Sequence, residues 1–68
     1  MTLPSEDRER LLVALRRADP PAFRSQVRAV LVAHGSVVDA ARALRVREAA
    51  LRRWIDDDAA LVAGVSLE

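Results

Sequence analysis

This chain of 68 residues contains no cysteine, no lysine and only one histidine. Without cysteine it can form neither a disulfide nor a thiolate metal site, and one histidine cannot build a zinc site alone. It also lacks an apolar run near the roughly 18 residues of a membrane-spanning helix, and it carries no signal-peptide pattern. We therefore expect one small cytoplasmic domain, associated with the nucleoid if it binds DNA, and no cofactor.

Patterns typical of catalysis are missing as well. The chain offers no Ser-His-Asp constellation, phosphate-binding loop or metal motif, and so short a chain leaves little room for a substrate pocket. Three consecutive aspartates at residues 56–58 resemble a metal cluster, but neighbouring positions on a helix point in different directions. We therefore expect neither an enzyme nor a metal site.

Positive charge is concentrated in one part of the chain. The formal net charge is only +1, and all eleven basic residues are arginine. Between Arg42 and Arg53, five arginines stand against the single Glu48, which gives a local charge of +4. One interpretation of the exclusive use of arginine is a GC-rich genome. The functional interpretation is that arginine suits bidentate contacts to phosphate and guanine.

Apolar residues recur at helical spacing in four segments, and no segment alternates as a strand would. Two prolines fit the first turn of the second helix with Asp19 as its N-cap, and Gly35 is a natural C-cap. Ser5 is the candidate N-cap of the first helix. The sequence therefore predicts an all-α fold, a small four-helix domain with helices near residues 5–18, 20–34, 36–44 and 47–56.

The end of the chain has two interpretations. In one, the fourth helix ends near Asp56, and Asp57 or Asp58 caps a short turn over residues 59–63. In the other, a single helix continues to Gly64. Leu67 and Glu68 are interpreted as a cloning scar and are excluded from the predicted fold.

The apolar stripes predict one core shared by all four helices. In the first helix the buried stripe is assigned to Leu11, Leu12 and Leu15. The predicted core comprises Leu11, Leu15, Phe23, Val27, Val30, Leu31, Ala40, Leu44, Val46, Leu51 and Trp54.

The segment from Gly35 to Ile55 is the most informative, because it contains two short helical patterns separated by a break. Ser36 is a candidate N-cap with Asp39 as its capping-box partner. The second pattern is basic, which is typical of a helix-turn-helix that places its second helix in the DNA major groove. We divide the chain into a helical pair at residues 1–34, a helix-turn-helix at 35–57 and a tail at 58–68.

This segment resembles the C-terminal DNA-binding unit of the Fis family, which also closes many bacterial enhancer-binding activators. The matching positions, in register without a gap, are Gly35-Ser36, Ala40-Ala41, Leu44-Arg45-Val46 and Leu51-Arg52-Arg53. The departures are Arg45 in place of a helix-ending glycine, Arg47 in place of a serine or asparagine N-cap, Glu48 in place of a basic contact residue, and Ala50 in place of a threonine. The resemblance implies double-stranded DNA as a partner.

We therefore predict a DNA-binding transcriptional regulator, or the DNA-binding domain of one, that acts as a homodimer through its N-terminal half. The residues expected to contact DNA are Ser36, Arg45, Arg47, Arg52 and Arg53. The alternative is a protein–protein interaction module on the same scaffold that has lost DNA binding. The low net charge and Glu48 favour this alternative.

Overall fold

The computed structural model describes residues 5–67, with side chains from residue 7 onward. Four helices follow one another: α1 (Ser5–Ala18), α2 (Pro20–His34), α3 (Val37–Leu44) and α4 (Glu48–Asp57). A 3-10 turn (Ala59–Leu61) comes next, and the described part of the chain contains no strand. The predicted all-α four-helix fold is confirmed. No helix in this part is both long and apolar enough to cross a membrane. The capping role predicted for Ser5 and the assignment of Glu68 lie outside what the structure describes.

The boundary between α1 and α2 follows from one acid and two prolines. Asp19 is the N-cap, and its Oδ1 accepts a hydrogen bond of 3.2 Å from the backbone N–H of Ala22. Pro20 and Pro21 fill the first two helical positions, where a missing N–H costs nothing. At the other end Gly35 takes the left-handed conformation, with φ of 69°, and stops α2.

A single core lies where the four helices and the 3-10 turn meet. At its centre the rings of Phe23 and Trp54 meet edge to face, with centroids 5.4 Å apart and planes at 83°. The buried members are Leu12, Phe23, Val27, Leu31, Val37, Ala40, Ala41, Leu44, Val46, Leu51, Trp54 and Leu61. The predicted members Leu15 and Val30 are half-buried and pack against this cluster, as does Leu67, which the sequence-based fold had excluded.

The prediction that Leu11 belongs to the core is wrong. Leu11 is 54% exposed, whereas its neighbour Leu12 is 3% exposed. The inner face of α1 is formed by Glu9, Leu12 and Leu15, and Leu11 lies about 100° from Leu12 around the helix. That step takes the Leu11 side chain off the buried face of α1 and into solvent.

The chain end follows the first of the two predicted courses. α4 stops at Asp57, and Asp58 caps the 3-10 turn by accepting a hydrogen bond of 3.1 Å from the backbone N–H of Ala60. The turn folds back onto α2 and α4, which buries Leu61 completely. The alternative of one helix continuing to Gly64 is wrong, because the Asp58 cap redirects the chain.

Candidate nucleic-acid interface

The first part of the candidate interface is α3, whose start is fixed by Ser36. The Ser36 backbone is extended, with φ of −150°, and its Oγ accepts a hydrogen bond of 3.1 Å from the Asp39 N–H. One face of α3 carries Ala40 and Ala41, both buried, which lets α2 and α4 pack closely against it. The predicted N-cap is therefore present, and the half-buried Ser36 hydroxyl is already used inside the protein.

The second part is the turn over residues 45–47. Arg45 has φ of 61° and ψ of 43°, the left-handed conformation that ends α3. Its N–H donates to the Arg42 carbonyl at 3.1 Å, and the Val46 N–H donates to the Ala41 carbonyl at 3.0 Å. These two bonds form the Schellman closure of a helix end. The position therefore has the glycine-type geometry that the resemblance implied, with an arginine in it.

The third part is an ion pair between α1 and the start of α4. Arg47 stands at the N-cap of α4 but makes no side-chain cap. Instead Glu9 supplies the acceptor: its Oε1 accepts from the Arg47 backbone N–H at 2.8 Å and from Nε at 2.9 Å, and its Oε2 accepts from Nη2 at 2.9 Å. The Glu9 side chain is 11% exposed, and that of Arg47 is 67% exposed.

The charge state of Glu9 follows from these bonds. The side-chain hydrogen bonds from Arg47 lower the pKa of Glu9, against the opposing effect of desolvation, and the backbone N–H and the positive charge of Arg47 lower it further. Glu9 is therefore ionised at neutral pH and holds the start of α4 against α1.

A second contact ties α1 to the same turn. The Nε of Arg8 donates a hydrogen bond of 3.3 Å to the carbonyl oxygen of Leu44, the last residue of α3. A cation at a helix C-terminus complements the negative end of the helix dipole. Together Arg8 and Glu9 contact α3 and α4 on either side of the turn.

The outer face of α4 carries the remaining candidate contacts. α4 buries Leu51 and Trp54 against the core, while Ala49, Arg52 and Arg53 are exposed. Arg52 donates from Nε to Glu48 Oε2 at 2.8 Å, an exposed pair one helical turn apart. Such pairs are worth only about 0.3–0.5 kcal/mol, so Arg52 can exchange its partner readily.

The arginines of this segment therefore fall into two groups. Arg47 and Arg52 are paired with carboxylates, whereas Arg42, Arg45 and Arg53 have no ion pair with a carboxylate within the described residues. All three of these side chains belong to exposed residues. Arg42 was not among the predicted contact residues, although its place in the arginine cluster was visible in the sequence.

Two of the acidic residues at the end of α4 pair with arginines of other helices. Asp57 lies 3.9 Å from Arg16 of α1, and Asp58 accepts from Arg24 of α2 at 2.8 Å. The hydrogen bond from Arg24 lowers the pKa of Asp58. No cluster suited to a metal ion occurs in the described part of the chain. Asp58 therefore anchors the C-terminal turn, and none of the three aspartates pairs with Arg53.

The predicted DNA-contact residues lie on consecutive elements: Ser36 before α3, Arg45 and Arg47 in the turn, and Arg52 and Arg53 on α4. The contact of Glu9 with Arg47 was not predicted from the sequence, because the two residues are 38 positions apart. Comparison of the chain with protein-family models, curated protein sequences and solved structures gave no match. The resemblance to the Fis family stays a prediction that rests on residues 35–55.

Proposed function

We propose that α3, the turn and α4 form a helix-turn-helix that binds double-stranded DNA, with α4 as the recognition helix in the major groove. The observation that carries the proposal is the division of α4 into two faces. Its inner face is held by Leu51 and Trp54, and its outer face presents Arg52 and Arg53 beside the small Ala49. A helix with a short residue among arginines can approach base edges and phosphates closely.

The arginines would contact DNA in different ways, according to whether each one already has a carboxylate partner. Arg42, Arg45 and Arg53, which have no carboxylate partner within the described residues, would meet backbone phosphates. Arg52 would contact DNA after releasing the exposed Glu48. Glu48 itself would repel phosphate, and Ala50 offers no hydroxyl. The proposed binding is therefore mainly electrostatic, with few groups to read bases.

The biological role in this proposal is transcriptional regulation by a homodimer that associates through its N-terminal half. A dimer would place two recognition helices in successive major grooves, about 34 Å apart. It would also raise the number of phosphate contacts that a single domain of 68 residues can make.

A second candidate function, a protein–protein interaction module, is favoured by the two glutamates. Glu9 and Glu48 neutralise Arg47 and Arg52, two of the five arginines between residues 42 and 53. The chain as a whole carries a net charge of only +1, which is low for a DNA-binding domain.

The deciding experiment is a fluorescence anisotropy titration on random duplex DNA over a series of salt concentrations. We expect measurable binding at low salt, and we expect Arg53→Ala to reduce the salt slope by about 0.9 for each bound protomer, the value for one lost phosphate contact. Arg17→Ala, an exposed residue of α1 with the same charge change, is the matched control and should leave the slope unchanged.

Glu48→Arg separates the two candidate functions. This variant removes a repulsive charge and restores the basic residue of the resembled family, so it should tighten binding. Circular dichroism verifies that each variant stays helical. If neither the parent nor Glu48→Arg binds DNA at low salt, charge on α4 is not the missing property, and the interaction module replaces the regulator.

A further inference from the structure

The pair between Glu9 and Arg47 does more than join two helices. Both oxygens of the Glu9 carboxylate are engaged, at 2.8–2.9 Å, and every donor involved belongs to Arg47. Two of these bonds form the parallel fork that arginine makes with a carboxylate, and the third secures the backbone just ahead of α4. One side chain of α1 thus fixes both the position and the charge of the residue that precedes α4.

The place of this carboxylate matters for DNA. The N-terminus of a helix attracts anions, because its first N–H groups are unpaired and its dipole is positive there. Glu9 puts a negative group at this end of α4, on the guanidinium that the sequence assigned to DNA. A phosphate approaching the start of α4 would meet an arginine whose charge is already balanced.

The pair is also poised for exchange. The Arg47 side chain is 67% exposed although its partner is largely buried, so a phosphate can reach the guanidinium without unfolding the contact. In the fold, then, an internal carboxylate and an external phosphate would compete for the same arginine.

We infer that Glu9 is a positioning residue that aligns the start of α4 and, by competing with phosphate for Arg47, holds down the DNA affinity of the domain. The part concerning affinity rests on the proposed function, whereas the part concerning alignment does not. The ligand class is the phosphodiester backbone of DNA, so the competition lowers the affinity for every DNA sequence alike.

The test of the affinity part is a double-mutant cycle with Glu9→Gln, Arg47→Gln and the double variant, titrated on random duplex DNA against salt. Glutamine keeps an oxygen for the Arg47 N–H but removes the negative charge that the guanidinium meets on Glu9. We expect Glu9→Gln to bind severalfold more tightly at low salt and to steepen the salt slope by about 0.9. Arg47→Gln should change the slope little in the parent but by about 0.9 in the Glu9→Gln background.

The control for net charge is Asp7→Asn, which changes the charge of α1 equally and lies 3.9 Å from Arg10 in an exposed pair. It should leave the slope unchanged. If Glu9→Gln weakens binding with an unaltered slope, Glu9 is only structural and the competition is overturned. A loss of about 0.9 in the salt slope from Arg47→Gln in the parent would overturn it too, because Arg47 would then already engage phosphate.

The alignment part is measured without DNA by thermal unfolding and by amide hydrogen exchange of α4. Glu9→Ala should lower the unfolding midpoint more than Glu9→Gln, and exchange should increase at the start of α4 before the rest of the helix. Equal effects of the two variants would overturn the alignment role. If no variant binds DNA, the competition and the proposed function both fail, while the exchange result still decides the alignment.

Discussion

Arg45 lowers the stability of the fold, because a residue with a Cβ occupies a left-handed backbone conformation that favours glycine. It holds φ of 61°, where a Cβ is strained and glycine is not. We expect Arg45→Gly to raise the free energy of unfolding by about 1 kcal/mol, measured by urea denaturation. Arg45→Ala is the control, since it removes the same charge but keeps a Cβ. An equal gain from both variants would mean that charge repulsion, and not backbone strain, is the cost.

Glu9 predicts how stability depends on pH. Its pKa is lowered in the folded protein by Arg47, so the stability that it contributes is fully present above the unfolded pKa of roughly 4.3. That contribution is lost as the pH falls through the lower, folded pKa. We expect the thermal unfolding midpoint of the parent to fall at pH values below about 4.3. The midpoint of Glu9→Gln should fall less over the same pH range. Parallel curves for the two proteins would show that the pair does not stabilise the fold.

At the scale of elements, the 3-10 turn is part of the core and the outer face of α1 is not. Leu61 is completely buried, and Leu11 is 54% exposed. Leu61→Ala should therefore cost about 2–5 kcal/mol of unfolding free energy, as buried leucines do. In the monomeric chain, at a concentration too low for dimerisation, the same change at Leu11 should cost less than about 0.5 kcal/mol. Urea denaturation measures both variants. Equal losses of unfolding free energy in the two variants would contradict the structure.

The acids at the end of α4 differ in role although they are adjacent. Asp58 caps the 3-10 turn and pairs with Arg24, whereas Asp56 is exposed at the negative end of the helix dipole. We expect Asp58→Ala to lower the thermal unfolding midpoint and Asp56→Ala to leave it unchanged or raise it slightly. A larger loss at Asp56 would show that the acidic run acts through its total charge.

Elements were predictable where the signal is local. The caps at Asp19 and Ser36 and the stop at Gly35 set helix ends through contacts within a few residues, and the structure places the ends there. Choosing Leu12 over Leu11 required knowing which way α1 rolls on α2, which periodicity alone does not fix when two leucines are adjacent.

The contacts of the candidate site could not be predicted from the sequence for a related reason. Glu9 meets Arg47 across 38 residues, and Arg8 meets Leu44 across 36. Nothing in either local segment marks such a pair, because an acid near the start of a helix already has a sufficient local explanation in the helix dipole. Only the packing of α1 over the turn reveals the second role.

Across the whole molecule, the arginines divide into those paired with carboxylates and those that are not. Asp57 and Asp58 pair with arginines of α1 and α2, and Glu9 and Glu48 pair with Arg47 and Arg52. Six of the eleven arginines have no carboxylate partner among the described residues, and three of these six are Arg42, Arg45 and Arg53. A near-neutral chain can in this way keep a locally positive segment over α3, the turn and α4, although under the proposed function one domain alone would bind DNA weakly.

That weakness is the reason to expect a dimer. Leu11 and Val13 of α1 are exposed, at 54% and 37%, in the half of the chain assigned to association. We expect sedimentation to give a dimer at micromolar concentration, and Leu11→Glu to shift it to a monomer. Val38→Glu, a similarly exposed apolar site on α3, should leave the dimer intact. If the parent stays monomeric at high micromolar concentration, the predicted dimer is wrong, whereas the proposed helix-turn-helix is unaffected. Binding to DNA would then have to come from one domain, and its salt slope would reflect three or four phosphate contacts at most.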